Sequence, residues 1–341
     1  MIRLRVLCPD AEQDAQADPQ ADPQADVEPE VEPGPVDDVL AVLHAEPGAV
    51  HVVRLRGAAV SPPGDVVEAD LARESVDGVL QQLRELGCAQ HGGIVLETLD
   101  TVVSAAAERA EEAVPGEGLD AVVWDELLAR TGQGARLSAT FVIMLTIACL
   151  LGAIGVVTNS PVTVVGAMVL GPEFGPLAAL ALAAVRRDGP MARSAGLALA
   201  VGFGIAVPVT AVAAAGARAV DAIPDNALTN LSGVEFVYQV GPFSLVVALL
   251  AGVAGMVALV AGEGSGVLVG VFISVTTVPA AGFVAVAVVL RDWPRAGGSL
   301  LQLVVNVVGI VIAGTVVLLL ARASRRRRGL PEHLPRRRAD R

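Results

Sequence analysis

The chain has 341 residues, of which 53% are hydrophobic, and its mean hydropathy of +0.62 is well above that of an ordinary soluble domain. Residues 1–136 carry 27 acidic and 9 basic side chains, net −18, whereas the rest carries 9 acidic and 15 basic side chains, net +6. The acidic first part argues against nucleic acid as a partner, because nucleic-acid binding rests on cationic contacts to phosphate. The apolar second part indicates the lipid bilayer as its partner.

The first hundred residues predict a cytosolic α+β domain with a ferredoxin-like fold. Ile2–Cys8 alternates apolar and polar residues in the way of a half-buried strand. Residues 9–36 are acidic, repetitive and rich in proline, with too few apolar groups to offset the entropy of ordering. We expect them to form a disordered insert, either as a solvated loop or as an acidic lure for a basic partner or cations.

After the insert the pattern predicts the order β-α-β-β-α-β, which is typical of the ferredoxin-like fold. Ser75 is a candidate N-cap for the second helix, and Gly87 is a candidate for its end. The apolar face of that helix is expected to be Val76, Val79, Leu80, Leu83 and Leu86. The predicted elements after the first strand are a helix over Asp37–His44, strands over Val50–Arg56 and Val66–Leu71, a helix over Ser75–Leu86 and a strand over Ile94–Leu99.

Histidines and cysteines show no metal-ligand spacing. We therefore expect neither a metal site nor a cofactor, and we expect the cysteines of the first domain to be reduced. The residues concerned are His44, His51, His91, Cys8, Cys88 and Cys149.

Residues 101–136 are predicted to form a helical connector. Val102–Ala113 is rich in alanine and charge, and Leu119–Arg130 is amphipathic. Trp124 on the second segment would lie either on the bilayer surface or against a packing partner.

Six apolar runs follow within residues 137–321, and each is long enough to cross a membrane. The remaining residues, 322–341, form a basic tail that is expected to be cytosolic. The chain is thus predicted to be an α-helical polytopic membrane protein with six transmembrane helices. The runs are Leu137–Val157, Pro161–Val185, Arg193–Ala217, Gly241–Ala261, Gly266–Leu290 and Ser299–Ala321.

Arginines predict the orientation, because cytoplasmic flanks carry an excess of positive charge. With the N-terminus inside, most arginines fall on inner flanks and only three on outer flanks. We therefore expect a multi-pass protein of the inner (plasma) membrane with both termini in the cytoplasm. The inner set is Arg130, Arg136, Arg186, Arg187, Arg193, Arg322 and Arg325–Arg328, and the outer set is Arg218, Arg291 and Arg295.

The second run is interrupted at its centre, and the interruption is a candidate functional site. At ~1.5 Å per residue the run would reach about 38 Å as one helix, more than the ~30 Å hydrocarbon core. Prolines disrupt a helix interior, and the carbonyls that they free must be buried in protein or line a wet cavity. The residues of the interruption are Gly171, Pro172, Glu173, Gly175 and Pro176.

An internal repeat relates the first three runs to the last three. Ala148–Gly155 aligns with Ala248–Gly255 at an offset of 100 residues, and the interrupted second run aligns with the fifth at an offset of 104. Gly204 aligns with Gly309 at an offset of 105. A repeat unit with three spans is inverted in the membrane, so the pattern predicts a 3+3 inverted repeat of the kind found in transporters.

The counterpart of the interruption in the fifth run is Ser274–Gly282. The expected pathway also includes polar residues near the rims and in the sixth run, although hydroxyls could instead satisfy freed carbonyls and Asn306 could join helices. Small-residue faces, such as Gly152 with Gly155, would let helices pack closely within a protomer or in a homo-oligomer. The further candidates are Ser274, Thr276, Thr277, Pro279, Asn159 and Asn306.

Three motifs carry a family resemblance. They read LLGAIGVVTNSPVTVVGAMVLGPEFGP, GVFISVTTVPAAG and, from Asn306, NVVGIVIAG. Together they resemble the bacterial and archaeal hydrophobic membrane proteins known as domain of unknown function 389, over Leu137 to about Ala321. In the family's usual pattern the break reads closer to APLMGP, so Glu173 stands where an apolar residue is usual, and Pro279 stands where paired prolines are usual. The resemblance implies a membrane fold but no established activity.

Two functions follow from these patterns. The first is a transporter or channel for a small solute or ion, in which Glu173 carries a proton, binds a cation, remains protonated, or is merely solvated in a re-entrant loop. The second is a membrane-anchored sensor or scaffold whose cytosolic domain binds a ligand or partner. An enzyme is not expected, because no His or Asp lies well inside any run.

Overall fold

The structure, a computed structural model, comprises two compact units, Met1–Glu126 with Arg328–Arg341 and Leu127–Arg327. It describes residues 1–9, 35–99, 101–114, 127, 131, 136–224, 227–229, 231, 233–238, 241–261 and 277–327. The predicted insert, most of Leu119–Arg130 and the basic tail beyond Arg327 lie outside these ranges.

The first unit contains a four-stranded antiparallel sheet with helices. Its strands pair in the order β2-β3-β1-β4, and the element order matches the prediction, with one short helix added. A small sheet with helices is therefore confirmed for the N-terminal unit. The elements are β1 (Ile2–Pro9), α1 (Pro35–Ala45), β2 (Ala49–Val60), β3 (Pro63–Leu71), α2 (Arg73–Glu85), α3 (Cys88–His91), β4 (Gly93–Thr98) and α4 (Ala105–Ala113).

The core of this unit follows from the two periodicities of strand and helix. Alternate residues of β1 point inward, and the predicted stripe of α2 packs on them. The prediction was wrong for Leu86, which is 41% exposed because it follows the last residue of α2 and leaves the buried stripe. The buried residues are Ile2, Leu4, Val6, Cys8, Val76, Val79, Leu80 and Leu83.

The predicted N-cap of α2 was also wrong. The helix begins at Arg73 after Ala72, which makes no side-chain cap bond. Ser75 is buried inside the first turn, and its hydroxyl donates to Glu46 Oε1 at 2.7 Å. An acceptor from the loop between α1 and β2 thus binds this hydroxyl. The predicted stop is present, since Gly87 follows the helix with a left-handed φ of 80°.

All regular elements that the structure describes in the second unit are helices. The helix starts follow local signals, since the side chains of Ser138, Ser160 and Asp188 accept backbone N–H bonds at the starts of three helices. The helices are α5 (Ala139–Val157), α6 (Pro161–Leu170), α7 (Phe174–Arg186), α8 (Gly189–Ala219), α9 (Pro242–Ala261), α10 (Thr277–Val289) and α11 (Trp293–Arg327), with a 3-10 turn at Glu235–Val237.

Four of these helices are long and apolar enough to cross a membrane, namely α5, α8, α9 and α11. The pair α6 and α7 makes a fifth span if the two helices are counted together across a bend of 57°. The protein is therefore a membrane protein. The fifth predicted run, Gly266–Leu290, is described only from Thr277 onward, so six spans remain a prediction.

Several connections of this unit meet on one side, which we call the loop face. Gly233 N donates to Asn159 Oδ1 at 3.2 Å, next to the turn between α5 and α6. The Arg218 guanidinium, near the end of α8, donates to Val289 O at the end of α10 at 2.8 Å. Because α7 leads away from this side and α8 returns to it, Arg186 and Gly189 lie at the opposite face.

Candidate functional site

The second apolar run breaks into two helices at a short irregular segment. Gly171 follows the end of α6, Pro172 and Glu173 come next, and α7 begins at Phe174. Pro172 lacks an N–H group and lies in the break, which matches the predicted interruption. Pro176, by contrast, lies in the first turn of α7. Backbone N–H groups there have no acceptor within the helix, so the missing N–H of proline costs no helical hydrogen bond. Gly175 lies in the same turn.

The helix α10 has a proline near its first described residue. It is described over Thr277–Val289, and Pro279 lies two residues after Thr277. At ~1.5 Å per residue, α6 is about 15 Å long, so it does not cross a ~30 Å hydrocarbon core alone. Since α7 runs to the face opposite the loop face and α10 runs to the loop face, Glu173 and Thr277 both lie at an intermediate depth.

The start of α7 meets the described part of α10 through one side-chain contact. Thr277 Oγ1 donates a hydrogen bond to Glu173 Oε1 at 2.5 Å, and both residues are fully buried. Glu173 occupies the N-cap position of α7, yet its side chain does not cap its own helix. A carboxylate at this place lies at the N-terminal end of α7, where the helix dipole favours negative charge. We call Glu173, Thr277 and the start of α7 the helix junction.

The helix α5 packs directly on the beginning of α10. A Cβ atom added to Gly282 would lie 2.7 Å from the carbonyl oxygen of Cys149 and 2.8 Å from the amide nitrogen of Ala153. A Cβ added to Gly152 would lie 3.3 Å from Pro279 Cα. Only glycine therefore allows the two backbones to approach this closely, and the contact closes one side of the helix junction.

A stripe of buried polar side chains runs along α11. Ser299, Gln302 and Asn306 are at most 1% exposed and share one helical face. The Ser299 hydroxyl lies 3.0 Å from Ala280 O and 3.1 Å from Val237 O, within donating distance of both. Gln302 Nε2 donates to Asn306 Oδ1 at 3.3 Å. Asn306 was predicted from the sequence and Ser299 was not. The spacing of Ser299 from Gln302 could have indicated that the two share one helical face.

The helices α7 and α11 also pack together near the helix junction. Phe174 and Val307, which directly follow Glu173 and Asn306, pack against the same cluster of buried apolar residues. This cluster joins α7 to α11 close to the beginning of α7.

The other predicted pathway residues have different fates. Asn159 lies at the loop face with a left-handed φ of 47°, and the structure does not bring it to Glu173. Ser274 and Thr276 lie outside the described residues. The predicted small-residue faces pack within the chain: a Cβ on Gly155 would lie 2.7 Å from Val164, and one on Gly252 would lie 2.8 Å from Ile310 O.

The three histidines of the first unit do not come together. Within the described ranges, no group of three His, Cys, Asp or Glu side chains could hold a metal ion. His91 Nδ1 lies 3.2 Å from Gly87 O, whereas His51 contacts Asp70 and Ser104.

Carboxylates and a thiol of the first unit have shifted pKa values. The Gly57 N–H and the Arg54 guanidinium bind Asp65 and hold its pKa below the ordinary value. Burial opposes ionisation of Asp70, but hydrogen bonds from Arg3 and His51 outweigh it, so its pKa is also lowered. Burial raises the pKa of Cys8 to about 11.

Comparison with known families agrees with the motifs. Residues 168–312 match the family model described as Domain of unknown function (DUF389), and this match extends from the end of α6 into α11. No curated protein and no solved structure matches the chain. The resemblance is thereby confirmed over this segment: the chain is a membrane protein whose residues 168–312 are similar to the domain of unknown function 389.

Proposed function

We propose that the protein mediates the passage of a small solute or ion across a membrane, with its site at the helix junction. The observation that carries the proposal is the 2.5 Å hydrogen bond from Thr277 to the fully buried Glu173, at the break between the two short helices α6 and α7. Ionisable groups at membrane depth are costly and mark ion or proton pathways. Broken helices whose ends meet near the midplane are typical of transporters.

An inverted 3+3 repeat of six spans is part of the proposal. The alignment of the second run with the fifth pairs Glu173 with Thr277, and these two residues touch. Two equivalent positions that touch lie on the axis that relates the repeats. The helix neighbours favour the same axis: α5 packs on α8 as α9 packs on α11, and α7 packs on α8 as α10 packs on α11.

Glu173 is assigned the role of proton carrier or cation ligand. Burial makes the charge of a carboxylate expensive unless the charge is paired or neutralised. The start of α7 contributes partial positive charge, and a proton or a cation would add to it. Asn306 and Gln302 offer amide oxygens on the neighbouring α11.

The proposed setting is the inner (plasma) membrane with both termini in the cytoplasm. The excess of arginine on the predicted inner flanks supports this orientation. The first unit then lies in the cytosol as a ferredoxin-like, split βαβ domain, whose strand order and antiparallel pairing support that fold. A homo-oligomer is compatible with the proposal, which includes no catalytic step, metal or cofactor.

The test is flux into vesicles that contain the purified full-length protein, with a panel of ions and metabolites at several pH values. We expect Glu173→Gln to remove the pH dependence of flux, because glutamine keeps the shape but binds no proton. Glu235→Gln, which changes an exposed carboxylate, is the matched control and should leave the profile unchanged. A Glu173→Gln profile identical to that of the natural protein would overturn the proton-carrier role.

A second candidate function is a sensor or scaffold, and the outer face of the sheet favours it. Val53, Leu55 and Val95 are 45%, 41% and 55% exposed. Val53 and Val95 lie in one row across the sheet, because Glu68 and Arg5 pair between them. This row, with exposed apolar ends and a charged pair between them, would fit a ligand or a partner protein. A membrane unit that passes none of the tested solutes would favour this function over transport.

A further inference from the structure

We infer that the first unit carries a serine-based acyl-transfer site, with Ser104 as nucleophile, His51 as general base and Asp70 as the group that orients the base. His51 Nε2 lies 2.9 Å from Ser104 Oγ, and His51 Nδ1 lies 2.9 Å from Asp70 Oδ2. These contacts join three residues from β2, β3 and the segment before α4. A nucleophile bonded to a base that is bonded to a carboxylate is the arrangement of serine hydrolases.

A β-bulge places His51 in this arrangement. The register of β2 against β3 shifts between Val50 and Val53, and His51 within the shift has a left-handed φ of 52°. A bulge re-aims a side chain, and a non-glycine residue in the left-handed region is strained. The structure keeps this conformation and directs the imidazole to Asp70, the partner of Val50 across the sheet.

The proton positions follow from the charge of Asp70. Asp70 is 3% exposed and its pKa is lowered by hydrogen bonds from Arg3 and His51, so it is ionised at neutral pH and needs donors. The imidazole therefore presents Nδ1–H to Asp70, which leaves Nε2 as an acceptor. The Ser104 hydroxyl then donates to Nε2, and this is the tautomer that a general base requires.

Ser104 also stands at the start of a helix. It is the N-cap of α4, and its Oγ accepts from Ala106 N at 3.2 Å and from Ala107 N at 3.4 Å. The first-turn amides carry partial positive charge, which would stabilise an oxyanion formed next to Oγ. The hydrogen bond from Ala107 N is the longer of the two. Its loss would free a lone pair of Ser104 Oγ for attack on the substrate.

The reaction is hydrolysis of an ester. Ser104 Oγ bonds to the ester carbonyl carbon while its proton passes to His51 Nε2. The bond between that carbon and the alkoxy oxygen then breaks, and the alcohol leaves with the proton. Water attacks the acyl-serine with His51 again as base, which releases the carboxylic acid and restores Ser104.

The surroundings favour a small apolar acyl group. Val103, directly before Ser104, is 95% exposed, and Val53, two residues after His51, is 45% exposed. The His51 side chain is itself 40% exposed, so a substrate reaches the base from solvent. A small ester of a short aliphatic acid can contact these two valines at the open site.

Arg3 distinguishes this site from a fully active hydrolase. Its Nε donates to Asp70 Oδ1 at 2.8 Å, and its Nη2 donates to Oδ2 at 3.2 Å. This cation already balances the Asp70 carboxylate, which then stabilises a protonated His51 less. Arg3 thus slows the reaction, and its replacement by glutamine is expected to accelerate it.

The test uses the full-length protein in detergent micelles, with p-nitrophenyl butyrate as substrate and a fluorophosphonate as covalent probe. We expect ester turnover and probe attachment at Ser104, located by mass spectrometry. Ser104→Asn and His51→Asn should each lower turnover by ~100-fold or more, since a positioned general base contributes roughly 10²–10⁴. Arg3→Gln should raise it severalfold.

The substitutions are chosen to preserve the fold. Asparagine is as good an N-cap as serine and tolerates the left-handed conformation of His51. Ser138→Asn, at the N-cap of α5, is the matched control and should keep full turnover. Turnover by the natural protein no faster than by Ser104→Asn, absence of the probe from Ser104, or an unaffected His51→Asn variant would each overturn the inference.

Discussion

Glu173 Oε1 accepts a 2.5 Å hydrogen bond from Thr277 Oγ1, although 104 residues separate the two. One residue precedes α7 and the other is the first described residue of α10, and both are fully buried. The contact therefore links the break of the second apolar run to the fifth run. Any movement that opens the helix junction must break this bond, so its strength bears on both stability and passage.

Thr277→Val should destabilise the membrane unit. Valine keeps the shape of threonine but removes the donor, and a buried acceptor that loses its donor costs about 1–3 kcal/mol. Denaturant unfolding in micelles measures the change. Thr315→Val is the control, because Thr315 donates only within its own helix, to Val311 O at 2.7 Å, and is half-buried. Equal losses in both variants would contradict a special role for the Glu173 contact.

Gly282→Ala should separate α5 from α10. The new Cβ would lie 2.7 Å from a backbone oxygen and 2.8 Å from a backbone nitrogen of α5, so a helix must shift, at a cost of about 1–3 kcal/mol. Gly166→Ala is the matched control, since a Cβ there meets nothing within 4 Å. We expect a lower unfolding midpoint for Gly282→Ala alone. If Gly282→Ala has the unfolding midpoint of the natural protein, α5 and α10 pack less closely than in the structure.

Introduced cysteines test the orientation. Val220, just after α8, is 74% exposed, and Val103 in the first unit is 95% exposed. A maleimide that cannot cross membranes should label Val220→Cys in intact cells and Val103→Cys only after permeabilisation. The three natural cysteines are all buried, so the unchanged protein supplies a low background. The reverse labelling would place the termini outside.

Acid should destabilise the sheet of the first unit. The pKa values of Asp65 and Asp70 are lowered from the model-compound value of 3.8, so their ionised forms favour the folded state. This stability is present above about pH 4 and is lost as the pH falls through the folded-state values. Hydrogen exchange of β3, corrected for intrinsic pH effects, measures the loss.

Asp70→Asn should flatten this acid dependence, because asparagine has no proton to gain. Glu112→Gln, which changes an exposed carboxylate of α4, is the control and should behave like the natural protein. An Asp70→Asn variant with the full acid dependence would show that other groups dominate it.

Local patterns in the sequence were enough for much of the architecture. Pro172 lacks an N–H group, so it marks the break between α6 and α7 whatever the position of the run in the fold. The alternation of Ile2–Cys8 and the stripe from Val76 to Leu83 predict a strand and a helix with defined inner faces. Gly87 ends α2 through its left-handed conformation, which depends on that residue alone. These features depend only on neighbours along the chain.

Contacts between distant segments could not be predicted from local patterns in the sequence. The N-cap assigned to Ser75 was wrong because Glu46, far along the chain, offers its hydroxyl a better acceptor. His51 gains Asp70 and Ser104 only through a bulge, which exists only once β2 has paired with β3.

The amino-acid sequence by itself determined that the protein enters a membrane, where its second run breaks, and that its first unit is a small sheet with helices. Hydropathy, prolines and periodicity depend on neighbouring residues, so their consequences can be predicted without knowledge of the fold. Only the tertiary structure decided that Glu173 meets Thr277, because the close approach of helices at Gly152 and Gly282 brings α10 to the break. This packing makes the two residues neighbours, and the proposed repeat would make them equivalent.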